Sequence, residues 1–89
     1  MLSIFRASSF KVDFKKLNND DKEKLKNILI ILVNNDALEE RHKNHPLIGK
    51  YNGCLECHIR PDLLLIYRIN LTVNELQLVR VGSHSQLFK

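Results

Sequence analysis

The chain has no tryptophan, one methionine, two cysteines, two prolines and three glycines among its 89 residues. Gly49, Gly53 and Gly82 lie too far apart to form a glycine-rich phosphate loop. No long hydrophobic run exists: the longest, Ile28 to Val33, spans six residues, against roughly 18 for a bilayer crossing. Met1 to Arg6 lacks a basic segment followed by an apolar one and a small-residue cleavage site, so a cytoplasmic protein is expected, with no membrane partner. Two cysteines in such a compartment are expected as reduced thiols. Neither internal repeats nor low-complexity segments occur, and 44% hydrophobic with 27% charged residues are ordinary globular values that suggest neither disorder nor a fibrous architecture. A single domain over residues 1–89 is expected, burying roughly 60 to 65% of the unfolded chain's surface.

Positive charge is what the chain does have. Lys and Arg number 14 against 10 Asp and Glu, a net +4 with pI near 9.3, which favours polyanionic partners and nucleic acid first.

Leu2, Ile4 and Phe5 suit a short strand. Ser9 is a candidate cap for a helix whose stripe is Phe10, Phe14 and Leu17. Asp20 to Glu23 has capping-box form and opens a second helix carrying Leu25, Ile28, Leu29 and Leu32. Ile30, Ile31 and Val33 widen its stripe, so its C-terminal half is expected to be nearly surrounded by protein, before Asn34-Asn35-Asp36 stops it. Residues 36 to 53 show no period and read as a long loop with His42 solvated.

A hairpin follows, turning at Arg60-Pro61-Asp62, where Pro61 presets φ and Asp62 is placed to bond nearby backbone N–H groups. Alternation along its first strand puts Cys54, Glu56 and His58 on one face and Leu55, Cys57 and Ile59 on the other. A third strand, Leu76 to Val81, breaks alternation near Leu78-Val79, where a bulge is expected. Ser83 to Gln86 has capping-box form for one helical turn ending at Leu87 and Phe88. The order β-α-α-β-β-β gives an α+β domain, two helices covering one face of a mostly antiparallel sheet of about four strands, with the other face free.

Cys54-Leu55-Glu56-Cys57-His58 spells the c-type haem signature and half a zinc site. A strand separates the two thiols onto opposite faces, so no metal ligand and no cofactor is expected. His45, His58 and His84 each lie beside a turn or strand end, where imidazole suits acid-base work; a surface or hydrogen-bonded structural histidine is the alternative at each. Glu56, His58, Asp62, His45, Arg80 and His84 are expected to converge at one end of the sheet. Cleavage of RNA by its own 2′-OH needs a base, an acid and positive charge on the phosphorane, and His, Asp or Glu, and Arg supply these.

At H-P-L-I-G from His45, E-C-H-I-R-P-D from Glu56, L-I-Y from Leu65 and G-S-H-S-Q-L-F from Gly82, the chain resembles the YafQ-type branch of the RelE/ParE toxins of bacterial type II toxin-antitoxin pairs. The resemblance implies a RelE-like fold and ribosome-dependent endoribonuclease cleavage of mRNA in the A site, as an mRNA interferase that inhibits translation. It implies a cognate antitoxin covering the basic, histidine-bearing face, in a complex that binds operator DNA through the antitoxin. By position, the catalytic set falls on His45, His58, Asp62 and His84, with Glu56, Arg80 and Phe88 binding phosphate or supporting. His45 or His58 is the base, Asp62 orients, His84 is the acid, and Phe88 stacks on a base or anchors the tail. Leu63 stands where many relatives carry tryptophan. A ParE-like gyrase poison and a non-catalytic nucleic-acid-binding module are the alternatives.

Overall fold

The computed structural model describes residues 1–88. Five strands and three helices follow in the order β1 (Ser3–Arg6), α1 (Ser8–Lys15), α2 (Asn19–Val33), β2 (His45–Pro46), β3 (Leu55–Arg60), β4 (Leu63–Asn70), β5 (Glu75–Gly82) and α3 (His84–Leu87). The sheet order is β1-β5-β4-β3-β2, with β1 parallel to β5 and every other pair antiparallel. The fold is therefore α+β as the sequence implies, with one strand more than expected. The long loop is not structureless: it holds β2 and single 3-10 turns at Glu40–His42 and Gly49–Tyr51.

Both helix starts differ from expectation. Asn18, not Asp20, caps α2 by accepting from the Asp21 amide at 2.8 Å. Asn18, Asn19 and Asp20 are all competent caps, and the one preceding the first helical turn takes the role. Ala7 precedes α1 without a side-chain cap, while Ser9 Oγ donates to the Val79 carbonyl at 2.6 Å and ties α1 to β5. Ile30 is half-exposed, so the far end of α2 keeps one open side.

The period-two strands sort the core into two layers. Cys57, Ile59, Leu63, Leu65, Tyr67, Leu76, Leu78 and Val81 face the helices and pack with Phe10, Leu25, Ile28 and Leu32. Cys54, Leu64 and Ile66 face the other way, where Leu87, Leu47, Tyr51 and Val79 cover them. The second sheet face is therefore not free. The loop and the capping-boxed tail close it, Ser83 Oγ accepting from the Gln86 amide while the Ser83 amide donates to Gln86 Oε1.

Two bulges reset the alternation. In β5 the register passes from Ile66↔Arg80 to Tyr67↔Leu78, making Val79 the extra residue. Without it Arg80 would share the helix-facing side of Leu78; with it Arg80 turns to the side of Ile66. In β3 the extra residue is Ile59, which turns Arg60 towards the helices. There Arg60 makes paired bonds of 2.9 and 3.0 Å to the buried carboxylate of Asp21 on α2.

Candidate active site

Cross-strand register assembles the site. His45 pairs with Glu56, Glu56 with Ile66 and Ile66 with Arg80, so these four side chains stand in one row on the face opposite the helices. At about 4.8 Å per strand, Arg80 stands roughly 10 Å from Glu56 across the row. His58, Leu64 and Gly82 form the next row on that face, and His84 follows from Gly82 at the start of α3.

Glu56 is the buried centre, 5% exposed. Its Oε1 lies 3.4 Å from His45 Nε2 and 3.6 Å from His58 Nε2. His45 is fixed through its other nitrogen, Nδ1 donating to the Lys43 carbonyl at 2.6 Å. A carbonyl only accepts, so Nδ1 carries the proton and Nε2 presents its lone pair when the ring is neutral. An ionised carboxylate facing that lone pair compensates the charge when the ring takes up a proton.

The supports of this group were not visible in the sequence. His42, expected to be solvated, is buried, and its Nδ1 donates to the His58 carbonyl at 2.7 Å. Tyr67 Oη donates to Asn44 Oδ1 at 2.7 Å, and burial pushes its hydroxyl up to about 12. Together these bonds hold residues 42–45 against the sheet so that β2 can deliver His45.

A second group surrounds Arg80. Asp13 on α1 accepts from Arg80 Nε at 2.6 Å and Nη2 at 3.1 Å, and from the Val81 amide at 3.1 Å. Hydrogen bonding to Asp13 raises the Arg80 guanidinium well above its usual value, so it stays charged. Arg80 Nη1 reaches Tyr51 Oη at 3.4 Å, and Tyr51 Oη donates to the Leu87 carbonyl at 3.5 Å. The Tyr51 ring meets Phe88 edge-on at 5.8 Å, and Phe88 lies 4.9 Å from the exposed His84 ring. Asp13 had a signal, an acid on the apolar stripe between Phe10 and Phe14. Tyr51 had none.

Of the expected residues, His45, Glu56 and His58 meet directly, while Arg80, His84 and Phe88 join through Tyr51. Asp62 is exposed at the hairpin tip, at the end of the sheet from which His84 departs. Among the described residues its side chain makes no hydrogen bond or ion pair, so the turn-forming bonds expected of it are not made. Leu63 is a buried core residue of the helix-facing layer. Cys54 and Cys57 lie in opposite layers, and burial pushes the Cys57 thiol up to about 12. Among the described residues, no three His, Cys, Asp or Glu side chains form a metal-holding group, and no helix is long and apolar enough to cross a membrane.

The chain is similar to known proteins over nearly its whole length. Residues 2–89 match the family described as the bacterial toxin of type II toxin-antitoxin system, YafQ. It is 37% identical over 78 residues to the mRNA interferase toxin YafQ of Escherichia coli K12, covering 86% of this chain and 83% of that protein. A metal-bound toxin from Helicobacter pylori superposes with a TM-score of 0.90 at 42% identity, over 99% of this chain and 100% of that one. YafQ in its complex with DinJ from Escherichia coli gives 0.84 at 30% identity, with both chains fully covered. With that match over residues 2–89 and the same fold in its relatives, this chain belongs to the YafQ family of toxins from bacterial type II toxin-antitoxin systems.

Proposed function

We propose that the chain is a ribosome-dependent mRNA endoribonuclease that cleaves RNA through the substrate's own 2′-OH. The observation that carries this reading is the row of His45, Glu56 and Arg80 on one sheet face, with His58 beside it. A ring nitrogen of His45 or His58 takes the 2′-OH proton as that oxygen attacks phosphorus, and Glu56 balances the imidazolium. Arg80, locked by Asp13, donates to the phosphorane oxygens. His84 protonates the departing 5′-oxygen, leaving a 2′,3′-cyclic phosphate and a 5′-hydroxyl. Asp62 orients groups from the hairpin tip, and Phe88 offers a partly exposed ring for stacking beside His84. The relatives' name as mRNA interferases and the YafQ–DinJ complex support an mRNA substrate and an antitoxin partner.

The test is to map new mRNA 5′ ends in a translation extract, with ribosomes and with stripped RNA. Discrete cuts only with ribosomes present, lost by about 10²-fold or more in His84→Ala, are expected. Equal cutting by His84→Ala, or DNA breaks with intact mRNA after induction in cells, would overturn the assignment, the latter in favour of gyrase poisoning.

A further inference from the structure

β2 pairs with β3 only at Leu55 and Glu56, so from Cys57 onwards the outer edge of β3 has no strand beside it. An open edge leaves backbone groups to be met in another way. The His42 ring meets one of them, its Nδ1 donating to the His58 carbonyl at 2.7 Å. Because Nδ1 carries the proton, the neutral ring keeps a lone pair on Nε2. Among the described residues Nε2 has no hydrogen-bond partner, yet no unpartnered side-chain nitrogen is sealed from solvent, although His42 is only 7% exposed. The free nitrogen therefore opens into the cleft of about 630 Å³ that His42 lines between α2 and this edge. Its size is that of a small-molecule site, roughly 300–1,000 Å³. Half-buried Ile31 on α2 and exposed Pro61 at the hairpin turn give it apolar surface on which a flat ring can lie. Lys24, Arg41, Lys43 and Arg60 give it positive charge against the carboxylate of Glu39. Among the described residues Lys43 has no ion-pair partner, whereas the other three cations each have one. Two residues border both the cleft and the histidine row: His58 reaches Glu56 through Nε2, and Lys43 receives His45 Nδ1 on its carbonyl.

We propose that this cleft holds one nucleotide of the mRNA beside the scissile phosphate, its base against Ile31 and Pro61 and donating an N–H to His42 Nε2, its phosphate on Lys43. Single-stranded RNA is read in this way, by bases splayed out of the stack and hydrogen-bonded at their edges. A bare phosphate or a carboxylate has only lone pairs to set against Nε2, whereas a base brings a donor. The proposal rests on the ribonuclease reading of the adjoining site and adds to it a residue that reads sequence. His42 takes no part in the chemistry; it favours the base whose edge puts a donor at Nε2.

Two measurements test it. In the first, the isotope-labelled full chain is titrated by NMR with hexaribonucleotides of mixed sequence whose 2′-oxygens are methylated, so that binding is read without cleavage. The amides of His42, Lys43 and Ile59 and the His42 Nε2 resonance are expected to move, while inorganic phosphate at the same phosphate concentration leaves Nε2 in place. In the second, new mRNA 5′ ends are mapped across many codons in the translation extract for the wild type, His42→Asn and Lys43→Asn, each variant checked as folded by its spectrum. His42→Asn keeps a side-chain N–H for the His58 carbonyl and deletes Nε2. Lys43→Asn suits the left-handed backbone at that position, φ 46°, and deletes the charge. His42→Asn is expected to relax base preference at one fixed position relative to the cut by about fivefold or more. Lys43→Asn should weaken hexamer binding about threefold or more and keep the preference. The subsite is overturned, and the ribonuclease reading left standing, if Nε2 does not move, if phosphate alone moves it equally, or if His42→Asn cuts with an unchanged codon profile or loses cutting at every codon alike. Absence of cutting by the wild type would overturn both.

Discussion

At the scale of single residues, burial separates loud motifs from working groups. Cys57 lies at 0% exposure and its thiol is pushed up to about 12, by burial first and then by the neighbouring Glu56. At pH 8 roughly one molecule in 10⁴ then carries the nucleophilic thiolate. Cys57 should therefore resist iodoacetamide at pH 8 in the native chain and react at once in denaturant; rapid native labelling would show that the helix-facing core opens. Tyr51 is the opposite case, unannounced in the sequence yet touching Arg80, the Leu87 carbonyl and Phe88. Tyr51→Phe keeps the ring and removes both long hydrogen bonds, so about 1 kcal/mol of stability is expected to go. If Tyr51 sets the Arg80 and His84 geometry, kcat for ribosome-bound mRNA falls several-fold with KM little changed. A rise in KM alone would assign it to substrate binding.

At the scale of elements, two acids on the inner stripes of the helices each fasten a helix to the sheet through an arginine that a bulge has turned. Asp13 holds Arg80 and Asp21 holds Arg60. Hydrogen bonding to Arg60 keeps the Asp21 carboxyl below the ordinary carboxylate value. A depressed folded-state value means that the pair's contribution is complete above the unfolded value of about 3.9 and disappears as pH falls from there towards the folded one. Asp21→Asn should cost about 1 kcal/mol at pH 7, because the Arg60 side chain is 40% exposed and water screens the pair. That gap, read as a melting-temperature difference of about 4–8 °C, should narrow below pH 4. A gap that held constant to pH 2 would rule out the ion pair as its source.

The same elements show what sequence can convey. Helical stripes, the meander, the Ser83–Gln86 capping box and the break at Val79 are local patterns, and local pattern sufficed for them. The two-residue β2, the burial of His42 and the place of Tyr51 depend on partners 9 to 36 residues away, such as Leu55 and the His58 and Leu87 carbonyls, and no periodicity encodes those. The His45, Glu56 and His58 cluster was half legible: alternation put Glu56 and His58 on one face, while only the β2 pairing brings His45 to them.

At the scale of the whole molecule, the sheet divides a thick layer from a thin one. On one side α1 and α2 bury a continuous core; on the other, the loop residues Leu47 and Tyr51 and the tail residue Leu87 cover Cys54, Leu64 and Ile66. Of the groups proposed for RNA cleavage, Glu56, His58 and Arg80 stand on the central strands β3 and β5, whereas His45, His84 and Phe88 ride on the loop and the tail, segments with few long-range contacts that open at least cost. Among the described residues, Leu87, 2% exposed, is the tail's sole buried side chain in that layer. Leu87→Ala is expected to cost about 2–4 kcal/mol, a large share of a small domain's 5–15 kcal/mol or so. The loss should be uneven. Cys54, whose thiol is raised by burial beneath this layer, should label about tenfold faster or more, whereas Cys57 beneath the helices stays protected, and mRNA cleavage falls as His84 and Phe88 lose their anchor. Equal acceleration at both cysteines would mean that the two layers unfold as one, and that the histidine-bearing face has no independent mobility.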